Sequence, residues 1–425
     1  MRWKDNGRFN EVYGKTLLGS HLINGTECRG ELSFEVRNPA HAGDCVGNFP
    51  QASSEFIEQA CRAAQGARAS WQGLSEAERS LSFRHLADLL SGQQRFLAQL
   101  LARELGQAFP ECLSEVQTWI DCAQRCARQE RTSLLLPTEV REALQGVSLY
   151  LQESRAGMAV IPHLISNLYL GHPWVWLAPS ALSATAYVLG RLFWQSGFPA
   201  GVCNLVLGAD KDFSEYFPLY QQGLVQAFYL LGKADTLAKY STLALPIQTL
   251  VLPEKPSVLV LRVETPFHRA LETSFKACFE KNNNRFLKLR RIFVPQSIAL
   301  AFKQGFLKAI QSLKIGDPSL NHQVDFGPLR MADDLALYLK HLQAGKAEGA
   351  ELIYGKGRLS RASKPEPFIG DPDAGNYVWP SLWDKVSPEM KFAQADLKGP
   401  AVALIEIENH EQALDYLQGS PFQLI

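Results

Sequence analysis

Few side chains in this 425-residue chain could do chemistry, and they are scattered. A thiolate is the strongest common protein nucleophile, and the chain has eight cysteines: Cys28, Cys45, Cys61, Cys112, Cys122, Cys126, Cys203 and Cys278. Cys278 has the most polar setting, in SFKACFEKNNNRF, near Glu280, Lys281 and the triplet Asn282 to Asn284. At helical spacing it also reads as a small buried hydrophobe, with the charges as a solvated helix end and the triplet as a loop. Cys122 and Cys126 are four apart and share one helix face; two sulfurs with no nearby His or further Cys do not make a zinc site. His163 and His172 have no carboxylate partner at a defined spacing, so no metal site is expected. No CxxC pair occurs, and the scatter of thiols suggests a reducing, cytoplasmic setting.

The bulk composition narrows the partners. Lys plus Arg and Asp plus Glu both number 43, for a net charge of zero, which argues against nucleic acid or an anionic membrane as main partner. The local run KLRR, Lys288 to Arg291, reads as a helix end or strand entry. The opening MRWKDNGRFNEVYGK has no apolar core of a signal peptide, and the stretch Tyr169 to Leu182 is too short and too interrupted to span a bilayer.

The elements that must carry these side chains follow from periodicity. Residues 1–20 read as a polar arm, and Leu22 to Asn38 as a β-meander. A helix capped by Ser54 carries Ile57, Ala60, Cys61, Ala64 and Trp71 on one face. Ser75 and Glu78 form a capping box for the next, whose stripe runs through Leu86, Leu89, Leu90, Leu97, Leu100 and Leu101 to Leu105. After a strand-prone stretch from Pro137 to Ile161, strands 175–177, 202–207 and 227–231 alternate with a helix over 182–196. A second alternating set follows: strands 257–263, 292–295, 351–354 and 401–406, with helices 267–279, 298–313, 332–344 and 409–418. This is the pattern of two parallel-sheet α/β units, with the break near the prolines at 246, 253 and 256.

Several strings, in this order, resemble the aldehyde dehydrogenase superfamily. They are LINGTE, Asn38-Pro39, VGNFPQAS (46–53), ARASWQGLS (67–75), LARELGQ (101–107), GFPAGVCNLVLG (197–208), LKIGDP (313–318) with FGPL (326–329), GNYVWPSL (375–382), Gly399-Pro400 and SPF (420–422). The resemblance covers residues from about 20 to 425. It implies a Rossmann-like parallel-sheet cofactor domain over 21–250, after the arm 1–20, and a catalytic-type α/β domain over 251–425. The chain stops at Ile425 before the PFGG-type loop and last strand the family carries, so this second domain is expected to be shortened.

Carried over position by position, the resemblance removes the family's chemistry. Five residues before Arg291, Phe286 stands where the nucleophilic Cys is implied, and a phenyl ring cannot form a thiohemiacetal. In TLVLP (249–253), Val251 takes the place of the general-base Glu. Ala178, before Pro179, replaces the Lys that contacts the cofactor ribose, and the small-residue FTGS turn aligns with Phe228 to Leu231. Lys255 persists, Asp396 stands for the Glu of ExFGP, and Lys398 for its Phe. Asn167, in RAGMAVIPHLISN (155–167), is the relic of the carbonyl-polarising Asn, across an apparent deletion of about a dozen residues.

The weak site candidates are therefore Cys278 and Asn167 for catalysis, and Lys255 and Asp396 for cofactor contact. The expected function is that of an aldehyde dehydrogenase-like protein that has lost catalysis and acts as a structural or regulatory partner, in a homo- or hetero-oligomer with a protein of the same kind. No cofactor is then expected, or NAD or NADP if the site is retained. The alternatives are an active NAD(P)-dependent oxidoreductase with relocated groups and a small-ligand binding module in the remnant crevice.

Overall fold

The computed structural model describes residues 15–130, 146–240, 247–252, 256–279, 288–395, 399–418 and 423–424. The chain divides into two compact units, one of residues 1–38, 44–105 and 112–252, the other of residues 39–43, 106–111 and 253–425.

The first unit opens with strands β1 (Leu17–Leu18), β2 (His21–Ile23), β3 (Thr26–Cys28), β4 (Ser33–Asn38) and β5 (His41–Pro50). Helices α1 (Ser54–Gln72), α2 (Glu76–Gly92), α3 (Gln94–Leu105) and α4 (Phe109–Ala127) follow. Then come β6 (Ser148–Gln152), α5 (Ile161–Tyr169), β7 (Trp174–Ala178), α6 (Ser183–Gln195), β8 (Cys203–Leu207), α7 (Pro218–Gln221), β9 (Ala227–Lys233), α8 (Ala234–Ala238) and β10 (Ile247–Leu252). The main sheet has the order β10-β9-β6-β7-β8-β2-β3. Its first five strands run parallel, and β2 and β3 add antiparallel at the edge. A three-stranded sheet, β1-β5-β4, takes the rest of the opening meander.

Parallel strands must be covered on both faces. Leu149, Leu151, Val175, Leu177, Val206, Phe228 and Leu230 form one core with Ile57, Ala60, Cys61 and Ala64 of α1. On the opposite face Tyr150 stacks on Tyr229 (ring centroids 4.3 Å apart, 8° between planes), and Trp174 meets Phe193 of α6 edge-on. Tyr150 also donates to the His163 carbonyl of α5.

Local signals set most helix ends. Ser53, one residue before the expected cap, starts α1: its Oγ accepts from the Phe56 amide because Ser54 already has helical geometry. The Ser75–Glu78 capping box starts α2 as its spacing requires. The leucine stripe runs through two helices, broken at Gln93, and Leu89 is only half-buried. Helix α6 has no cap of its own. Glu104, buried at the end of α3, accepts from the Ala184 amide (2.7 Å) and the Thr185 amide (3.0 Å) and caps it from a distance.

The stretch GFPAGVCNLVLG forms the turn into β8. Gly201 has φ +84°, and a Cβ there would stand 2.6 Å from the Ala63 carbonyl, so a glycine is needed where α1 crosses this turn. Buried Asn204 ties the turn to the β2–β3 hairpin: it donates to the Gly201 carbonyl and accepts from the Asn24 amide.

The second unit contains β11 (Pro256–Val260), α9 (Phe267–Phe279), β12 (Lys288–Pro295), α10 (Gln296–Gln311), α11 (Ala332–Ala347), β13 (Glu351–Tyr354), β14 (Ser381–Asp384), α12 (Lys391–Gln394), β15 (Ala401–Ile407), α13 (His410–Leu417) and β16 (Gln423–Leu424). The sheet order is β13-β14-β15-β12-β11-β16, parallel except for β13. Phe279, Phe302 and Phe306 pack on one face, and Tyr338 and Phe392 on the other. The KLRR run is the entry of β12. Its Arg291 is fully buried and donates from Nε to the Ala393 carbonyl and from Nη2 to that of Ala395. Among the described residues, no helix is long and apolar enough to cross a membrane.

Candidate functional site

In the first unit the chain leaves β6 to one side for β7 and β8, then crosses to the other for β9 and β10. The direction reverses between β6 and β9. In open α/β sheets the carboxyl ends of the strands at such a reversal form the binding crevice. The strand ends facing it are Gln152-Glu153, Ala178, Gly232-Lys233 and Leu252.

Two residues that sequence reading did not single out meet at the reversal. The Glu153 amide donates to the Leu231 carbonyl (2.8 Å), which pins the end of β6 against β9. The Glu153 side chain then lies over Gly232: a Cβ built there would be 2.9 Å from Cδ, 3.0 Å from Oε1 and 3.1 Å from Cγ. Glu153 follows Leu149 and Leu151 at alternate positions, so it belongs to the α1 face of the sheet. The visible signal was the nearly apolar run SLYLQ ending in a glutamate, an ordinary mark of a buried parallel strand.

Two alignments therefore move. Phe228 to Leu231 are not a turn. They lie inside β9, with Leu230 and Leu231 buried in the sheet, and the passage from strand to helix runs through Gly232 and Lys233 to Ala234. Within the strand-prone stretch from Pro137 to Ile161 the strand is β6, at Ser148–Gln152, while Ser154–Ala156 is a 3-10 turn and α5 begins at Ile161. Asn167 does not directly follow that strand. It lies in α5, fully buried, where Oδ1 accepts from the Tyr229 hydroxyl (3.4 Å).

Ala178 ends β7, buried, with no group to reach a sugar hydroxyl. The following turn is held by Asp210, which accepts from the amide (3.0 Å) and hydroxyl of Ser180. Val251 lies in β10 in register with Gly232, next to the strand's last residue. Phe286, Lys255 and Asp396 lie outside the described residues.

In the second unit Cys278 is wholly enclosed in the core around Phe279, Phe302 and Phe306, and burial pushes its thiol well above the ordinary range, keeping it protonated. The other thiols are little more available. Cys61, Cys112, Cys122, Cys126 and Cys203 are buried, while Cys28 and Cys45 are half-buried. Burial lowers His163 and His172 to about 4, so both rings are neutral. Among the described residues, no group of three or more His, Cys, Asp or Glu could hold a metal ion. A cavity of about 70 Å³, bordered by Gln51, Ser53, Gly208, Lys211 and Tyr216, lies at the end of β8. It is far below the several hundred Å³ of a cofactor pocket, about 300 or more.

Residues 26–424 match the aldehyde dehydrogenase family. The α-ketoglutaric semialdehyde dehydrogenase of Bacillus subtilis (strain 168) is 26% identical over 416 residues, which is 95% of this chain and 83% of that protein. Among solved structures, an NAD-dependent aldehyde dehydrogenase from Sinorhizobium meliloti superposes with a TM-score of 0.83 at 20% identity, covering 96% of this chain and 82% of its own. The NAD+ complex of an aldehyde dehydrogenase from Bacillus cereus gives 0.81 at 19% identity, covering 99% and 84%.

Proposed function

The chain belongs to the aldehyde dehydrogenase family, and on that premise we propose that it is a member without covalent aldehyde chemistry, serving as a structural or regulatory partner. The observation that carries this reading is the state of its thiols: all eight cysteines are among the described residues, and none is exposed. Aldehyde oxidation through a thiohemiacetal needs a thiolate that meets the carbonyl carbon, then a base that activates the water for deacylation. Phe286 and Val251 occupy the positions aligned with those roles, and neither side chain can attack a carbonyl or take a proton. Buried Cys278 offers no replacement, because its surroundings favour the neutral thiol.

The described strand ends also suit a pyridine dinucleotide poorly. Ala178 has no polar group for a ribose, and a carboxylate stands at the sheet reversal where a diphosphate would approach. The role left to such a fold is assembly with a second copy or with an active relative, in the cytoplasm, where eight thiols outside any disulfide stay reduced.

The test has two arms. Purified protein is given NAD or NADP with a panel of aldehydes, and reduced cofactor is followed by absorbance. We expect no aldehyde-dependent signal. A signal abolished by Cys278→Ser would establish the relocated-catalyst reading instead. Light scattering of the protein, alone and mixed with an active family member, then reports assembly: a monomer under both conditions removes the partner role.

A further inference from the structure

Among the described strands of the first unit, the sheet reversal between β6 and β9 is the place where topology prescribes a ligand crevice. We infer that the Glu153 side chain occupies that crevice as a built-in stand-in for a ligand, and that this carboxylate is the residue that excludes nucleotide diphosphates. The inference rests on topology and geometry and deepens the proposed loss of catalysis, since oxidation of aldehydes with NAD or NADP would contradict both.

Three observations carry it. Gly232 lacks a side chain at the end of β9, which leaves an open approach to the backbone of the kind a diphosphate uses. The approach is filled from within, because Glu153 Cδ, Oε1 and Cγ all lie within 3.1 Å of where a Cβ would stand. The main chain beneath Glu153 cannot withdraw: its amide donates to Leu231, and its carbonyl accepts from the Ala156 amide (2.9 Å) in the following turn. A ligand must therefore displace the side chain by rotation. A diphosphate would do so against like charge, in a half-buried site where screening is weak. A small neutral ligand would meet only the steric part of this barrier.

Isothermal calorimetry of ADP, NAD and NADP against the wild type, Glu153→Ala and Glu153→Gln tests the inference, with thermal unfolding run on each. The wild type is expected to show no binding at millimolar nucleotide. Glu153→Ala, which removes both bulk and charge, is expected to bind ADP at least tenfold more tightly than the wild-type limit. Micromolar binding by the wild type overturns the inference, and so does a folded Glu153→Ala that binds no better than wild type. If the alanine variant does not fold, Glu153→Gln is read in its place: it keeps the side-chain volume and loses the charge, so a smaller gain is expected and no gain overturns the inference. An aldehyde-oxidation assay on the same samples keeps this outcome separate from the loss of catalysis, since a protein that binds nucleotide yet oxidises nothing contradicts only the exclusion.

Discussion

The carboxylate of Glu104, at the end of α3, accepts both the backbone amide and the hydroxyl of Thr185, 81 residues further along the chain. Together with the Ala184 amide, this satisfies the first turn of a helix that has no cap of its own. The group is buried, so its removal leaves donors with no access to water. Glu104→Ala is expected to lower unfolding free energy by about 3–5 kcal/mol, and Glu104→Gln by less, in chemical denaturation. A loss below about 1 kcal/mol for the alanine variant would show that water replaces the carboxylate.

Gly201 and Gly197 separate two roles of glycine in one turn. Both have positive φ, +84° and +85°, but only at Gly201 would a Cβ meet backbone, at 2.6 Å from Ala63 O. Gly197→Ala should cost about 1 kcal/mol of strain, while Gly201→Ala should cost about 3 kcal/mol or more, read from denaturation midpoints. Equal costs would mean that α1 shifts freely from the turn.

The contact between Glu153 and Gly232 can be measured apart from any ligand. Gly232 has no positive φ, and the three atoms nearest an added Cβ all belong to the glutamate side chain. Gly232→Ala should destabilise the wild type more than it destabilises Glu153→Ala, with a coupling of about 1 kcal/mol in a double-mutant cycle. Additive effects would place the side chain elsewhere in solution.

Thiol reactivity follows from burial. Native protein treated with Ellman's reagent should release little colour, from the half-buried Cys28 and Cys45, until denaturant exposes the other six. Cys278→Ser places a hydroxyl in an apolar core and is expected to cost about 1–3 kcal/mol in stability. Rapid modification of Cys278 in native protein, located by peptide mass mapping, would contradict its enclosure.

His21, His163 and His172 set an acid limit. Burial lowers each from an ordinary 6.5 to about 4. Between those values the unfolded chain binds more protons than the folded one, so stability rises with pH there and falls as pH drops from 6.5 towards 4. His21 Nδ1 also accepts from the Leu207 amide, a bond that protonation breaks. Each group should contribute up to about 3 kcal/mol of that loss by pH 4, and His21→Gln should flatten the slope of unfolding midpoint against pH. A slope unchanged by that substitution would assign the acid limit to other groups.

Much was legible from sequence because it is local. The capping box at Ser75 and Glu78, the helix over Phe267–Phe279, and the shared helix face of Cys122 and Cys126 depend on spacing along a few turns. Family resemblance likewise lives in short turns such as GFPAG, where a backbone angle and a close crossing demand glycine. Four site positions raised in that way, Phe286, Val251, Lys255 and Asp396, are assigned by alignment, and three of them lie outside the described residues.

What tertiary structure decided is which polar groups meet across the sheet. Asn167 aligns in sequence with the amide that polarises a substrate carbonyl. Folded, it is a buried acceptor for Tyr229, 62 residues away, because the strand before it is Ser148–Gln152 and the intervening residues wind into α5. Glu153 and Gly232 are unremarkable 79 positions apart, and only the side-by-side pairing of β6 with β9, Gln152 against Leu231, brings them together. Chain spacing determines a residue's element and face. The order of strands in the sheet, set by how both faces are buried, determines its neighbours.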